Sequence, residues 1–334
     1  MRHWIRFISQ WRKSSNKKEE KASGVKEEKN MLRKRIYAWK NRGMALLLAG
    51  LTAFGMAAVP AFAEEQTETA AEAAMQSVLP NGKEVYNVLL IGSDRRNDSW
   101  NGNSDVMIVM SVNAGSKKLS LTSFMRDLYA DIPGYGVHKL NYAYAAGGAK
   151  TLMATLEDNY ELPIDNYAVV DFETMAKVVD LVGGVEIEVS DAECKVLNDY
   201  LTSMNAADDY LPGGGSYVLN GNQAVAYMRI RYVGNNDYER TQRQRDVLGV
   251  IFASMQKLDA EQLTKLVDEI LPNVENDITP VDMIRLMALL PDIGDYELSE
   301  SRIPYDGLFT SQNEMLVPDF AQTKERLHEE LYGE

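Results

Sequence analysis

The sequence predicts an α/β fold with strands and helices in stacked layers. Three observations support it: short β-rich runs bounded by Gly, Asn, Asp and Ser, almost unbroken apolarity within them, and alternation of strand and helix patterns further along. Val85 to Ile91, Val106 to Val112 and Leu119 to Phe124 are the first strands, and their apolarity points to a sheet buried on both faces. Gly147 to Tyr160 reads as a helix, Tyr167 to Val170 as a strand, and Phe172 to Leu181 as a helix stopped by Gly183-Gly184. Val185 to Val189 is a further strand, and Pro212 to Ser216 (PGGGS) marks a loop. Gly221 to Met228 forms a short helix. Tyr238 to Lys257 forms a longer one, with Val247, Leu248, Ile251, Phe252 and Met255 as its apolar stripe. Two helices fit between Ala260 and Leu290, then a strand near Tyr296 to Ile303 and a closing helix from Asp319 to Leu331.

These elements occupy residues 82–334, and with no internal repeat or second linker they read as one domain. Three segments precede it. Residues 1–42 are a polar, basic arm, either a cytoplasmic tail or a product of start-site choice, since Met31 would open a leader of ordinary length. Residues 43–63 contain an uncharged run from Met44 that ends Val59-Pro60-Ala61-Phe62-Ala63. A basic flank, an apolar run and a small-x-small ending describe a secretory signal cut near Ala63. The same stretch of about 20 residues also suffices for a transmembrane anchor with the body outside. Both readings put the body beyond the cytoplasm, on the outer face of the membrane or released. Residues 64–81 are acidic and Ala-rich, a tether.

Charge is unevenly distributed. Residues 1–63 carry 14 Lys/Arg against four Glu, whereas residues 64–334 carry 21 basic groups against 45 acidic ones. Nucleic-acid binding rests on cations neutralising phosphates, so a body this acidic excludes that class of partner. A single cysteine, Cys194, leaves no intrachain disulfide, and three scattered histidines make no metal-ligand spacing. Neither a GxxxxGK[ST] loop, a GxGxxG turn nor a GxSxG elbow is present, which removes support for nucleotide cofactors and serine hydrolysis. His138, with no serine partner at a useful spacing, reads as a loop hydrogen-bonding group.

In so acidic a body, Arg229, Arg231, Arg240, Arg243 and Arg245 fall within one window of 17 residues. Arg229 and Arg231, two apart, share a face if the segment is extended. Arg240, Arg243 and Gln244 follow helical spacing in the first turns of a helix, where backbone amides already favour an anion. Guanidinium forks suit phosphate, so the cluster reads as an anion grip, weighed against a solvated basic helix face. Asp94 directly follows the first strand and Asp105 opens the second. Two carboxylates there suit a hard cation such as Mg²⁺, weighed against ordinary turn chemistry. Arg126 and Asp127 follow the third strand, at the sheet end where ligands of open α/β sheets gather.

The chain resembles the LytR-CpsA-Psr family. The resemblance is carried in order by NVLLIGSD (from Asn87), SDVMIVMSVN (from Ser104), LSLTSFMRDLYADIPG (from Leu119), KLNYAYAAGG (from Lys139), VDLVGGVEIEV (from Val179) and LNGNQAVAYMRIRY with DYERTQRQR. It implies layered α-β-α architecture, a central mixed sheet flanked by helices, and an apolar groove for a lipid tail. It also implies a membrane-associated, extracytoplasmic enzyme. Such an enzyme moves a glycopolymer, for example teichoic acid or capsule, from a polyprenyl-pyrophosphate lipid onto a peptidoglycan hydroxyl. By resemblance, Asp94 and Asp105 hold Mg²⁺, Arg126, Arg229 and Arg231 face the pyrophosphate, and Lys139, Arg240 and Gln244 contact the head group, with Arg243 beside them. Asp127 is the expected proton acceptor. Where the family usually has Arg, two residues before the second aspartate, this chain has Asn103, with Arg95 or Arg96 as the available substitute. That departure motivates one rival class, a non-catalytic polyprenyl-phosphate binder; a second rival, a pyrophosphate hydrolase, shares the site and uses water as acceptor.

Overall fold

Six strands pair into one mixed sheet, and the way its residues alternate between two apolar layers explains the rest of the architecture. The computed structural model describes residue 79 and residues 83–333, apart from 94–101, 235–236, 256, 280–281, 284, 287–288 and 290–295. The described residues belong to one unit of structure, residues 65–334. The strands are β1 (Val85–Ser93), β2 (Ser104–Asn113), β3 (Lys118–Phe124), β4 (Tyr129–Ile132), β5 (Gly136–Lys139), β6 (Asn166–Val170), β7 (Val185–Val189), β8 (Gly215–Leu219), β9 (Glu275–Asn276), β10 (Glu297–Ile303), β11 (Phe309–Gln312) and β12 (Met315–Pro318). The helices are α1 (Asn141–Tyr160), α2 (Phe172–Leu181), α3 (Asp191–Ser203), α4 (Gly221–Met228), α5 (Asp237–Met255), α6 (Ala260–Ile270) and α7 (Phe320–Tyr332).

The sheet order is β10-β3-β2-β1-β6-β9. The β1–β2, β2–β3 and β6–β9 pairs are antiparallel, while β1–β6 and β3–β10 are parallel. Successive strand residues point to opposite faces. Leu89 and Ile91 of β1 accordingly join Met107, Val109 and Phe124 in a core closed by Leu152 and Leu156 of α1 and by Leu327 and Leu331 of α7. Ile108 and Leu121, from the other face, pack on Leu248 of α5. A sheet covered on both sides by helices is the mixed α-β-α arrangement expected from the sequence.

A second apolar cluster, built from α2, α3, α4 and the β7–β8 hairpin, packs on Val247 and Ile251 of α5. Helix α5 therefore carries two interfaces, with Leu248 toward the sheet and its neighbours toward the helices. Caps set the frame. Asp171 caps α2, Asn220 with Gln223 makes a capping box on α4, and Ser190 with Glu193 makes one on α3. Gly183 and Gly184 end α2 with positive φ, as the sequence indicated.

Several elements differ from the sequence reading. Helix α1 begins at Asn141 rather than Gly147, and Gly147 (φ −149°, ψ 19°) and Gly148 (φ 73°, ψ −164°) interrupt it. The PGGGS segment runs into a strand, because β8 finds its partner in β7. Hairpins β4–β5 and β11–β12 and helix α3 are additional. The arm 1–42, the apolar run 43–63, and residues 64–81 except Leu79 lie outside the described residues, as does part of the second helix expected before Leu290. Among the described residues no helix is long and apolar enough to cross a membrane.

The first residue of α4 is a point of close approach. A Cβ on Gly221 would lie 2.2 Å from the Ala176 carbonyl oxygen of α2 and 2.7 Å from its carbon. Both are backbone atoms, so the two helices must separate to admit a methyl group. Gly221→Ala is expected to cost about 2–3 kcal/mol and to lower the thermal midpoint by roughly 5–10 °C. A melting curve matching the wild type would contradict this account of the α2–α4 contact.

Candidate active site

Asp105, the second residue of β2, stands where three parts of the chain converge. Its Oδ1 accepts from Arg126 Nη1 at 3.1 Å, and its Oδ2 accepts from Arg231 Nη2 at 2.9 Å. The β2–β3 register carries the chain on to Arg126 just beyond β3, and Arg231 follows α4 by three residues. Asp237, the first residue of α5, binds the same arginines from the other side. Its Oδ2 lies 2.9 Å from Arg126 Nε, and its Oδ1 lies 3.5 Å from Arg240 Nη2 and 4.0 Å from Arg231 Nε. Asp127 extends the chain of charges through Arg126 (3.5 Å) to Lys139 at the end of β5 (2.8 Å). The Asp127 backbone carbonyl accepts from Leu316 N–H at 2.8 Å, tying it to the β11–β12 hairpin.

Four cations thus meet three carboxylates among the described residues of the cluster. Arg126, Arg231, Asp105 and Asp127 are each about a quarter exposed, whereas Arg240 at the floor is only 3% exposed. Burial disfavours the Arg126 cation, yet Asp237 and Asp105, with Asp127, outweigh it and lift its pKa above the usual value. Arg240 is the reverse case. Burial pushes its pKa below the usual value, and Arg231 and Arg126 add to that against Asp237 and Asp105. Among the described residues its Nη2 donates to the Asp105 backbone oxygen at 3.4 Å and pairs with Asp237 at 3.5 Å, while its Nε has no hydrogen-bond partner. A buried guanidinium with one nitrogen unpartnered, beside two more exposed ones, has the chemistry to take a multiply charged anion.

Sequence neighbours part company here. Arg229 closes α4 in helical conformation (φ −91°, ψ −9°) instead of lying extended. Its side chain therefore does not share a face with Arg231. It lies between the rings of Phe172 and Tyr200, 4.9 Å from each centroid. Arg243 is buried and bound by protein partners: Glu193 at 2.8 Å, Glu239 at 3.1 Å, and the carbonyls of Ile230 and Val233, each at 3.2 Å. Rather than facing the cluster, it clamps the loop that delivers Arg231 onto α5. Gln244 is buried in α5, and among the described residues it makes no hydrogen bond to the cluster. His138 stacks on Tyr142, with centroids 4.5 Å apart. Asn103 is exposed beside Ser104. Asp94 and Arg96, with Arg95, lie outside the described residues.

Asp237 and Glu193 were missed from the sequence. An acid at the start of a helix is common because the dipole favours it, so Asp237 gave no sign of binding three arginines. Mg²⁺ takes oxygen ligands, often one or two carboxylates with the rest from water and phosphate. Asp105 has that donor chemistry. Its oxygens already face arginines, so a divalent ion there needs the added negative charge of substrate phosphates. Among the described residues no group of three or more His, Cys, Asp or Glu side chains is arranged to hold a metal.

The profile of the LytR_cpsA_psr family matches residues 53–330. The chain belongs to this family. Among its relatives, TagU of Enterococcus faecalis, named a polyisoprenyl-teichoic acid–peptidoglycan teichoic acid transferase, is 33% identical over 246 residues, covering 72% of this chain and 75% of TagU. Biofilm regulatory protein A of Streptococcus mutans is 30% identical over 251 residues, covering 68% of this chain and 61% of that protein. A solved structure of TagT bound to LI-WTA is 26% identical, covers 75% of this chain and 92% of its own, and superposes with a TM-score of 0.60. The mixed sheet is thus the LytR_cpsA_psr fold.

The Arg243 clamp makes a prediction about pH. Burial disfavours the Glu193 carboxylate, but hydrogen bonds from Ser190 and Arg243 outweigh it and hold the pKa below the usual value. Such a group contributes stability that is complete above its unfolded pKa and is lost as pH falls through the lowered folded value. Glu193→Gln is expected to cost about 2 kcal/mol at pH 7, since Arg243 stays buried and keeps only Glu239 as a charged partner. The gap from wild type should close as pH falls below about 4. Denaturant melts at pH 7 and pH 3 check this, and an equal gap at both would refute it.

Proposed function

We propose that this chain is a glycopolymer transferase of the cell envelope, moving a polymer from a polyprenyl-pyrophosphate carrier to a hydroxyl of peptidoglycan. The observation that carries the reading is the cluster of Arg126, Arg231 and Arg240 around Asp105 and Asp237, where cations outnumber acids, in a relative of TagU. A pyrophosphate diester brings two adjacent anionic groups, which suits one buried and two more exposed guanidinium forks.

In the proposed reaction the acceptor hydroxyl oxygen forms a bond to the polymer-bearing phosphorus. The bridging P–O bond of the pyrophosphate breaks, and polyprenyl monophosphate leaves with the bond's electron pair. The hydroxyl proton goes to a carboxylate, for which Asp127 is the proposed group; accepting it means yielding its pairing with Lys139 or Arg126. Phosphoryl transfer depends on positioning and charge stabilisation more than on covalent catalysis. Arg126 and Arg231, fixed in place by Asp105 and Asp237, meet charge growing on the phosphate oxygens without first reorganising. Arg240 holds the head group from below, and Lys139 flanks it. Asp105 and Asp94 are the residues proposed to hold Mg²⁺, which would supply further positive charge for the pyrophosphate. Arg229, in its aromatic cradle, is proposed to support the Arg231 loop and to reach the ligand only by leaving Phe172 and Tyr200. We place the body on the outer face of the membrane, held by residues 44–63 or released near Ala63.

Arg231→Ala removes a group held to Asp105 on a partly exposed loop, so folding should survive while transfer fails. Transfer of polymer from a lipid-linked pyrophosphate donor to peptidoglycan should drop by about 100-fold or more, with the melting midpoint within a few degrees of wild type. Chelation by EDTA should stop transfer, and added Mg²⁺ should restore it. Full transfer by the variant would remove Arg231 from the reaction, and polymer released as its own phosphate monoester, with none on peptidoglycan, would mark a hydrolase.

A further inference from the structure

The β4–β5 hairpin and the first turn of α1 present an aromatic corner that the phosphate chemistry does not use. Tyr135, Val137 and Tyr142 are 47%, 46% and 40% exposed. The Tyr135 and Tyr142 ring centroids are 6.4 Å apart with their planes at 85°, and His138 lies 4.5 Å from Tyr142 at 38°. The corner is held in shape. Tyr135 donates its hydroxyl hydrogen to the Ala146 carbonyl at 3.0 Å, and Gly134 and Gly136, both at positive φ, set the hairpin tip. The break at Gly147-Gly148 frees the short segment carrying Tyr142 from the direction of the rest of α1.

Its position ties it to the cluster. Lys139, the residue after His138, pairs with Asp127, and Asn141 N–H, next to Tyr142, donates to the Arg126 carbonyl at 3.2 Å. His138 and Lys139 leave opposite faces of the hairpin, so the rings flank the cations rather than cover them. Exposed rings grouped in this way mark a binding surface more often than chance exposure does. Rigid tyrosines supply large amphipathic contact area at low entropic cost. The electron-rich ring face attracts the C–H edges of a pyranose, while the hydroxyls and the imidazole hydrogen-bond to its substituents.

Charge selects the occupant. Residues 129–138 contain no Lys or Arg and one Asp, Asp131. The adjoining Lys139 is already paired with Asp127, so a phosphate-rich polymer would find no uncommitted counter-charge on this hairpin, whereas an uncharged sugar strand loses nothing. We infer that the Tyr135–His138–Tyr142 corner binds the sugar rings of the acceptor, a glycan strand of N-acetylated hexosamines, and directs its hydroxyl toward the Asp127–Lys139 end of the cluster. This rests on the transferase reading.

Two measurements separate the two ideas. The first titrates the protein with a β-1,4-linked N-acetylglucosamine tetramer by calorimetry, which needs no turnover. The second measures transfer to peptidoglycan glycan fragments, with donor affinity determined separately. For the Tyr135→Ala/Tyr142→Ala double variant the corner predicts tetramer affinity and acceptor KM each worse by about tenfold, with kcat and donor affinity within twofold of wild type. Tyr142→Phe, which keeps the ring but loses the hydroxyl, should weaken tetramer binding less than the double variant does. Should the double variant fail to fold, His138→Ala alone decides, with a smaller shift in the same direction. Unchanged tetramer affinity overturns the assignment, as does a parallel fall in donor affinity, which would give the rings to the donor. A wild type that binds the tetramer but transfers nothing would sink the transferase reading and leave the sugar corner standing.

Discussion

The Asp105 carboxylate joins two arginines that reach it from 21 and 126 residues away in sequence. One oxygen holds Arg126 beyond β3, and the other holds Arg231 beyond α4. Neither arginine has a helix or strand of its own to fix its direction, so this carboxylate, with Asp237 opposite, sets the aim of both. Placing Asp105 takes the register of β2 between β1 and β3, and that register takes a sheet buried on both faces. The cluster is therefore a product of the whole sheet.

Helix α5 performs the complementary task. Its first residue supplies Asp237, its first turns bury Arg240, Arg243 and Arg245, and its later turns supply Val247, Leu248 and Ile251 to two apolar layers. Buried arginines are tolerated only when paired, and each meets that demand differently. Arg243 is saturated by Glu193, Glu239 and two carbonyls; Arg245 reaches Ser123, Gln242 and Glu300. Arg240 pairs with Asp237, and like Arg245 it keeps an Nε without a hydrogen-bond partner among the described residues. The same helix thus carries two cations that serve the fold and a third, Arg240, that also borders the charged cluster.

Much of this was legible in the sequence because it follows from short-range rules. The apolar runs of β1, β2 and β3 announce a doubly covered sheet, and Gly183-Gly184 ends α2 where the residue type requires. Helix α3 has a legible start in the Ser190-x-x-Glu193 capping box, but its mixed polar sequence hides the apolar positions Cys194, Leu197 and Leu201 that it buries. What sequence spacing could not convey was direction. Arg229 and Arg231 share a face only in an extended segment, and the helical turn at Arg229 sends one to aromatic rings and the other to Asp105. Arg240 and Arg243, three apart on one helix, likewise diverge because their acidic partners come from different elements. Partnership across 50 or 126 residues is a property of the folded chain.

The Gly147-Gly148 interruption divides α1 into two lengths under different constraints. Downstream, Leu152, Leu156 and Tyr160 fill the core and leave little freedom to vary. Upstream, a six-residue stretch keeps Asn141 against the Arg126 carbonyl while offering Tyr142 to solvent. Because the helix does not run through the glycines, exchanging the outward residues of that stretch leaves the core packing of the downstream length in place. This edge of the surface can therefore change without disturbing the sheet or the charges it positions.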